Sequence, residues 1–195
     1  MSAARRLRHA AVKLESEEVL LLRLVDAHGE ATLGGLLIVL SLPCLLPSLF
    51  GLGWVLSLGL FAVGIAMVRG SEHVHLPQRV AHLPIARQRA QTFLLALARF
   101  YVRLGRVAKP RWRHLVGPRA QRFLAVPVLF MAFVIFLPIP GGNTLPAIAL
   151  LLIGCAMIFR DGLMASAGVL MSVVTLIITS GAIYAALLGL WALLS

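Results

Sequence analysis

The chain contains three long hydrophobic stretches. A charged stretch precedes each of the first two, and Arg160 and Asp161 separate the second from the third. The first hydrophobic stretch, residues 31–68, contains no charged residue at all. Proline has no backbone N–H to donate, and glycine adopts backbone conformations that other residues avoid. A cluster of both therefore ends a helix. The pattern predicts helices over 33–46 and 54–68, about 21 and 22 Å long at 1.5 Å per residue. The residues expected to form the bend between them are Pro43, Pro47, Gly51 and Gly53.

The second hydrophobic stretch repeats this layout, with helices predicted over 123–137 and 147–159. Asn143 or Thr144 is expected to cap the second of these helices, and Pro146 is tolerated in its first turn. The bend residues are Pro138, Pro140, Gly141, Gly142 and Pro146. Each predicted helix is shorter than the roughly 20 residues of a perpendicular membrane crossing. Each pair therefore either just crosses a bilayer or dips in and returns as a re-entrant hairpin.

The two stretches also end alike, in GIAMVRG at residues 64–70 and GCAMIFRDG at residues 154–162. This likeness predicts an internal duplication, as in membrane folds that pair half-helices. An arginine follows an even number of half-spans in each repeat. Both repeats should therefore begin and end on the cytoplasmic side and lie parallel to each other.

The composition is that of an integral membrane protein rather than a soluble domain. The chain of 195 residues is 60% hydrophobic and 13% charged, with a mean hydropathy of +0.95. Its net charge of +11 could suggest nucleic acid, but basic residues beside hydrophobic spans signal topology and meet anionic lipid headgroups. We expect no nucleic-acid partner. The early basic residues run into acids before any apolar run, so we expect the first hydrophobic stretch to direct insertion.

The charged stretches are expected to lie on the cytoplasmic side. Residues 1–30 predict a short amphipathic helix that lies on the membrane surface or packs on the bundle. Residues 69–122 hold twelve basic residues and one acid, so the positive-inside rule makes the connector 71–122 cytoplasmic. Its helical pattern over 85–107 predicts an interfacial helix. The arginines expected to contact lipid phosphates are Arg89, Arg99, Arg103 and Arg106.

The last stretch, residues 163–195, predicts a C-terminal transmembrane helix. A single tilted crossing would place the C-terminus outside, whereas a short hairpin bending at Ser180-Gly181 would return it to the cytoplasm. Small residues in this stretch allow close helix packing, within one chain or in a homodimer.

Few side chains in this sequence offer chemistry. Arg160 and Asp161 form either a charged pair at the mouth of a path or a helix end, with Gly162 as the left-handed stop. Asn143 and Thr144 either contact a polar ligand at a helix N-terminus or only cap the helix. Cys44 and Cys155 are expected to be buried, without a disulfide. We expect no metal, no cofactor and no enzymatic activity.

Taken in order, these motifs resemble the exopolysaccharide synthesis ExoD family of bacterial membrane proteins. The resemblance covers residues 29–194 and includes the Arg-rich connector, the bend at residues 137–146 and Arg-Asp-Gly at 160–162. The chain departs from the family at His75, where Trp is common, and at Ala66 and Phe159, where Gln or Glu is frequent. The resemblance implies an inner-membrane protein linked to exopolysaccharide production, with components of that process as partners and no established biochemical activity.

The sequence thus predicts an all-α integral membrane protein built from two hairpin repeats, an interfacial connector and a C-terminal helix. The leading hypothesis is a non-enzymatic component that supports exopolysaccharide synthesis or export through assembly with itself or a partner. The alternative is a small transporter or channel with its path between the two bends. The predicted segments are 1–30, repeat 31–70, connector 71–122, repeat 123–162 and 163–195.

Overall fold

The computed structural model covers most of the hydrophobic stretches and part of the charged ones. The described residues are 18–20, 33–45, 52–71, 84–86, 95, 99, 102–105, 108–137 and 142–194. Several residues of the predicted bends and lipid contacts lie outside them, namely Pro47, Gly51, Pro138, Pro140, Gly141, Arg89 and Arg106.

Five α-helices make up most of the described residues. They are α1 (Leu33–Ser41), α2 (Leu52–Arg69), α3 (Pro118–Phe136), α4 (Thr144–Phe159) and α5 (Gly162–Leu194). Single 3-10 turns follow α1 at Pro43–Leu45 and precede α3 at Arg113–Val116. For these residues the predicted helical fold class is confirmed.

The helices stop where proline and glycine were expected to stop them. α1 ends at Ser41, two residues before Pro43. α3 ends at Phe136, and Leu137 is extended with ψ 131°, because the ring of a following proline disfavours the helical conformation. Pro146 lies in the first turn of α4, as expected.

Several predicted boundaries need correction. α1 ends at Ser41 rather than at residue 46, and α4 begins at Thr144 rather than at residue 147. Gly53 lies inside the first turn of α2 rather than in the bend. α3 begins at Pro118 rather than at Phe123, because proline is already set for the first position of a helix, where its missing amide costs nothing. The last residues assigned to the connector therefore belong to this helix.

The helices form a bundle in which each hairpin packs against the other. A Cβ added to Gly154 of α4 would lie 2.8 Å from the Gly34 carbonyl oxygen of α1 and 2.9 Å from Ile38. One added to Gly64 of α2 would lie 3.5 Å from Val128 of α3. The second helix of each hairpin thus packs against the first helix of the other, and leucine, isoleucine and methionine side chains fill the space between them.

Both hairpins start and finish at the same end of the bundle. α2 runs antiparallel to α3, because Gly53 lies near Ile135 and Gly70 lies near Arg122. We call the end that holds the last residue of α2, the start of α3 and the α4–α5 junction the basic end. The opposite end, where α1 leads to α2 and α3 leads to α4, is the bend end.

Contacts recur at positions 90 residues apart. Ser71 donates its backbone amide to the Ala66 carbonyl (3.0 Å), and Asp161 donates to the Ala156 carbonyl (3.1 Å). The residue before each donor, Gly70 or Arg160, has a positive φ, 69° and 54° respectively. These are Schellman-type helix ends. The contact between Ile38 and Gly154 has its counterpart between Val128 and Gly64, and Gly53 lies against its own counterpart, Asn143.

α5 is one continuous helix of 33 residues, so the alternative of a hairpin at Ser180-Gly181 is wrong. Its first half packs on α4, where a Cβ on Gly168 would lie 2.7 Å from Ile153. Every residue from 180 to 189 is exposed. α3 and the part of α5 from Gly162 to Gly189 are each long and apolar enough to cross a membrane.

The charged stretches are described only in part, and they include a short antiparallel ladder of Glu18–Leu20 with Pro84–Ala86. The predicted helices are therefore wrong at Val19, Leu20 and Ile85, where the two apolar segments pair instead as extended strands. Residues 102–105 are helical, with Arg103 exposed and Leu104 packed on the core. That distribution fits the predicted faces of the connector helix.

Candidate functional site

Asp161 forms the most highly connected polar centre in the described residues. Its side chain is fully buried, and one oxygen, Oδ2, accepts the backbone amide of Lys109 at 3.1 Å. The other oxygen, Oδ1, accepts Arg111 Nε at 3.2 Å and the Leu163 amide at 3.0 Å. The carboxylate therefore caps α5 and joins it to the segment that precedes α3.

These donors stabilise the ionised form of the Asp161 carboxyl group. Burial alone would raise the pKa of its carboxyl group, but the hydrogen bonds from Lys109, Arg111 and Leu163, together with the Arg111 charge, outweigh burial and leave the pKa below its ordinary value. The group is therefore ionised at neutral pH, and each of its two oxygens already accepts at least one hydrogen bond from the protein.

Two backbone features bring the segment before α3 close to the α4–α5 junction. Arg160 ends α4 in the left-handed conformation, so the prediction that Gly162 is the left-handed stop is wrong. Gly162 instead opens α5 and donates its amide to the Arg111 carbonyl at 2.8 Å. A Cβ on Gly162 would lie 2.5 Å from the carbonyl oxygen of Trp112, so only glycine permits this approach.

The bend end presents a different arrangement around Asn143. Asn143 occupies the N-cap position of α4 without a capping hydrogen bond from its side chain, so the predicted side-chain cap at Asn143 is not formed. Its Oδ1 is buried and has no hydrogen-bond partner among the described residues. Its Nδ2 lies against Gly53, 2.9 Å from where a Cβ would be. Thr144 is half-buried as the first residue of α4.

Comparison with known proteins agrees with these motifs. A family model described as "Exopolysaccharide synthesis, ExoD" matches residues 3–181. The chain belongs to the ExoD family. It is 32% identical over 158 residues to an uncharacterized protein of Synechocystis, covering 80% of this chain and 74% of that protein. It is 31% identical over 156 residues to the protein ExoD of Rhizobium meliloti, covering 77% of this chain and 62% of that protein. No solved structure matches the chain.

In this ExoD-family structure the predicted site residues fall into two separate groups. Arg160 and Asp161 lie at the basic end, whereas Asn143 and Thr144 lie at the bend end. Of the arginines predicted to contact lipid, Arg99 and Arg103 are described, and both are exposed. Cys44 and Cys155 are buried free thiols, as predicted. Among the described residues, no three His, Cys, Asp or Glu side chains are grouped as a metal site would need.

Sequence reasoning missed the partners of Asp161. Lys109 and Arg111 lie about fifty residues earlier in the chain, and nothing in the spacing connects them to the α4–α5 junction. One signal was available, because a lone acid in an apolar stretch needs cationic or amide partners. The connector was the nearest source of both.

Proposed function

We propose that this chain is a non-enzymatic component of the bacterial inner membrane that supports exopolysaccharide synthesis or export. The observation that carries the proposal is the state of Asp161. This carboxylate is closed off from solvent and accepts three hydrogen bonds that tie two parts of the fold together. It therefore acts as a structural clamp and leaves no oxygen for a substrate.

The proposed membrane orientation follows from the distribution of charge. Arg69, Lys109, Arg111, Arg113, Arg119, Arg122 and Arg160 are all exposed at the basic end. The positive-inside rule places that end in the cytoplasm, so both hairpins enter the membrane from the cytoplasm and return to it. At the bend end the rings of Trp54 and Phe136 stack, with their centroids 5.9 Å apart.

Helix length favours a bundle that stops short of the far interface. α2 has 18 residues and α5 has 33, about 27 and 50 Å at 1.5 Å per residue. The hydrocarbon core is about 30 Å thick. α5 continues past the bends, which explains why nothing described covers residues 180–189. We propose that the hairpins are re-entrant or barely spanning and that tilted α5 completes the crossing.

An internal duplication is also proposed, and the contacts 90 residues apart support it. Two matching helix ends and the paired contacts of Gly64 and Gly154 are what a two-fold axis along the membrane normal would produce. Because Gly53 touches its own counterpart, Asn143, the proposed axis passes between these two residues.

Assembly as a homodimer is proposed through the exposed part of α5, residues 180–189. Small residues follow one stripe of this helix at spacings of three and four, and the buried ones are Ala165, Gly168, Ser172 and Thr175. The same stripe continues with Thr179, Ala182, Ala186 and Gly189 beyond the bundle. Such stripes let membrane helices approach closely. In a protein whose two cysteines are replaced, Ala186→Cys should form a cross-linked dimer, whereas Tyr184→Cys, on the opposite side of the helix, should not.

A solute path between the bends is the second candidate function. The buried, unpartnered Oδ1 of Asn143 favours it, because a buried acceptor without a donor is costly and is often kept for function. In that case Asn143→Ala would abolish solute flux in proteoliposomes while the protein stays folded.

One complementation experiment separates the two proposals. In a strain that lacks the protein, exopolysaccharide yield is measured with Asn143→Ala and Asp161→Ala alongside the amount of folded protein in the membrane. A structural component predicts a full yield with Asn143→Ala, and a yield with Asp161→Ala that follows the folded amount. Loss of yield with normally folded Asn143→Ala would contradict that role and support the path.

A further inference from the structure

Residues 109–115, which we call the knuckle, lie at the basic end, and residues 109–114 are all exposed. Trp112 at its centre has φ 50° and ψ 44°, a left-handed conformation that is an outlier for a bulky side chain. It costs about 1 to 2 kcal/mol in most contexts. Its side chain is nevertheless 55% exposed, so burial of the indole within this chain does not offset that cost.

Contacts with the α4–α5 junction hold the knuckle in place. The Lys109 amide and Arg111 Nε bind Asp161, and Gly162 donates to the Arg111 carbonyl. The close approach of Gly162 to Trp112 fixes the turn. Lys109, Arg113 and His114, which lie within three residues of Trp112 in the sequence, are exposed as well. The fold therefore presents an aromatic ring among cations in a preset arrangement.

We propose that this knuckle binds the headgroups of anionic phospholipids in the cytoplasmic leaflet. The inference rests on the proposed membrane placement. Guanidinium and ammonium groups donate to phosphate oxygens, and an indole combines an apolar body with a polar N–H suited to the headgroup layer.

The neighbouring surface favours a lipid over a soluble polyanion. Phe123 on α3 is 78% exposed and Leu163 on α5 is 42% exposed, each within the first turns of a helix that starts at the basic end. Exposed cations and exposed apolar side chains therefore share this end of the bundle, as expected of a surface that meets headgroups and acyl chains together. A soluble phosphate or polysaccharide would match only the cations.

The test measures lipid retention by the purified full-length protein, using native mass spectrometry with phosphatidylglycerol and phosphatidylcholine in the same micelle. The wild type should retain phosphatidylglycerol preferentially. Lys109→Gln with Arg113→Gln should weaken that binding about 30-fold, since each basic residue contributes about 1 kcal/mol and a tenfold change is about 1.4 kcal/mol. Trp112→Ala should weaken it too, whereas Trp191→Ala, which removes another exposed indole, near the end of α5, should not.

Each alternative gives a distinct result. Arg119→Gln with Arg122→Gln removes two charges from α3 at the same end, and an equal loss there would show diffuse attraction and overturn the knuckle as the site. Displacement of the lipid by inorganic phosphate would identify a free-anion site and also overturn it. If the protein inserts into vesicles with the basic end inside but shows no headgroup preference, this inference fails while the proposed function stands. Failure to insert would overturn both.

Discussion

Removal of the Asp161 carboxylate is the perturbation whose effect the structure defines best. In Asp161→Ala, α5 loses its N-terminal cap, worth about 1 kcal/mol. The Lys109 amide loses its acceptor, which costs about 1 to 2 kcal/mol. The bond to Arg111 adds at most about 1 kcal/mol, because the Arg111 side chain is 46% exposed and water replaces part of the interaction. Together these losses should destabilise the protein by about 2 to 4 kcal/mol.

Asp161→Asn should cost about half as much. Its remaining oxygen can still accept from Leu163 and Arg111, but its Nδ2 then faces the Lys109 amide, donor against donor. Arg160→Ala is the matched control, since Arg160 is the exposed neighbour and exposed substitutions usually change stability by less than about 0.5 kcal/mol. The measurement is chemical or thermal unfolding in detergent followed by circular dichroism, where Asp161→Ala should lower the midpoint by about 10 °C.

The pH dependence supplies an independent check. The folded-state pKa of Asp161 is depressed, so its contribution is complete above the unfolded-state value of about 4 and disappears as pH falls through the folded value. The wild type should therefore lose stability below about pH 4 more steeply than Asp161→Ala does. Equal unfolding midpoints for Asp161→Ala and Arg160→Ala at neutral pH would refute the clamp.

Five further substitutions test the packing and the strained backbone at Arg160. Gly154→Ala should destabilise the protein by about 1 to 3 kcal/mol because the new methyl group collides with α1. Gly181→Ala, with nothing within 4 Å, should instead stabilise α5 by up to about 1 kcal/mol. Thermal unfolding of the two variants tests both expectations. Arg160→Gly should raise stability by about 0.5 to 1 kcal/mol, because glycine adopts φ 54° without strain, and an unchanged melting temperature would contradict this. Gly168→Leu should disrupt the α4–α5 contact and expose the bundle to protease, while Gly181→Leu, which meets nothing within 4 Å, should leave digestion unchanged.

The sequence revealed helix breaks more readily than pairings. Proline at 43 and 146 has local consequences for φ and for the backbone amide, so helix ends near them could be predicted. The left-handed residue was misplaced at Gly162 because glycine is the usual choice there, whereas Arg160 adopts that conformation. Its neighbour Asp161 must point its carboxylate inward and place Gly162 against Trp112.

The clamp itself depends on contacts between distant residues. Asp161 and Arg111 meet only when α3 packs on α2 and α4 packs on α1, and periodicity within one segment carries no information on that arrangement. The conformation of Trp112 is likewise imposed by Gly162 from another part of the chain. The sequence around Asn143 predicts its position at the start of α4. Its contact with Gly53 arises only because the starts of α2 and α4 lie together at the bend end.

The central claim is that both hairpins enter the membrane from the cytoplasm and return there. Cysteine accessibility tests it most directly, with His114→Cys at the basic end and Gly142→Cys at the bend end in a protein whose buried Cys44 and Cys155 are replaced by alanine. A membrane-impermeant maleimide should label His114→Cys only from the cytoplasmic side and should never label Gly142→Cys from that side. Labelling of both positions from the cytoplasm would contradict the account.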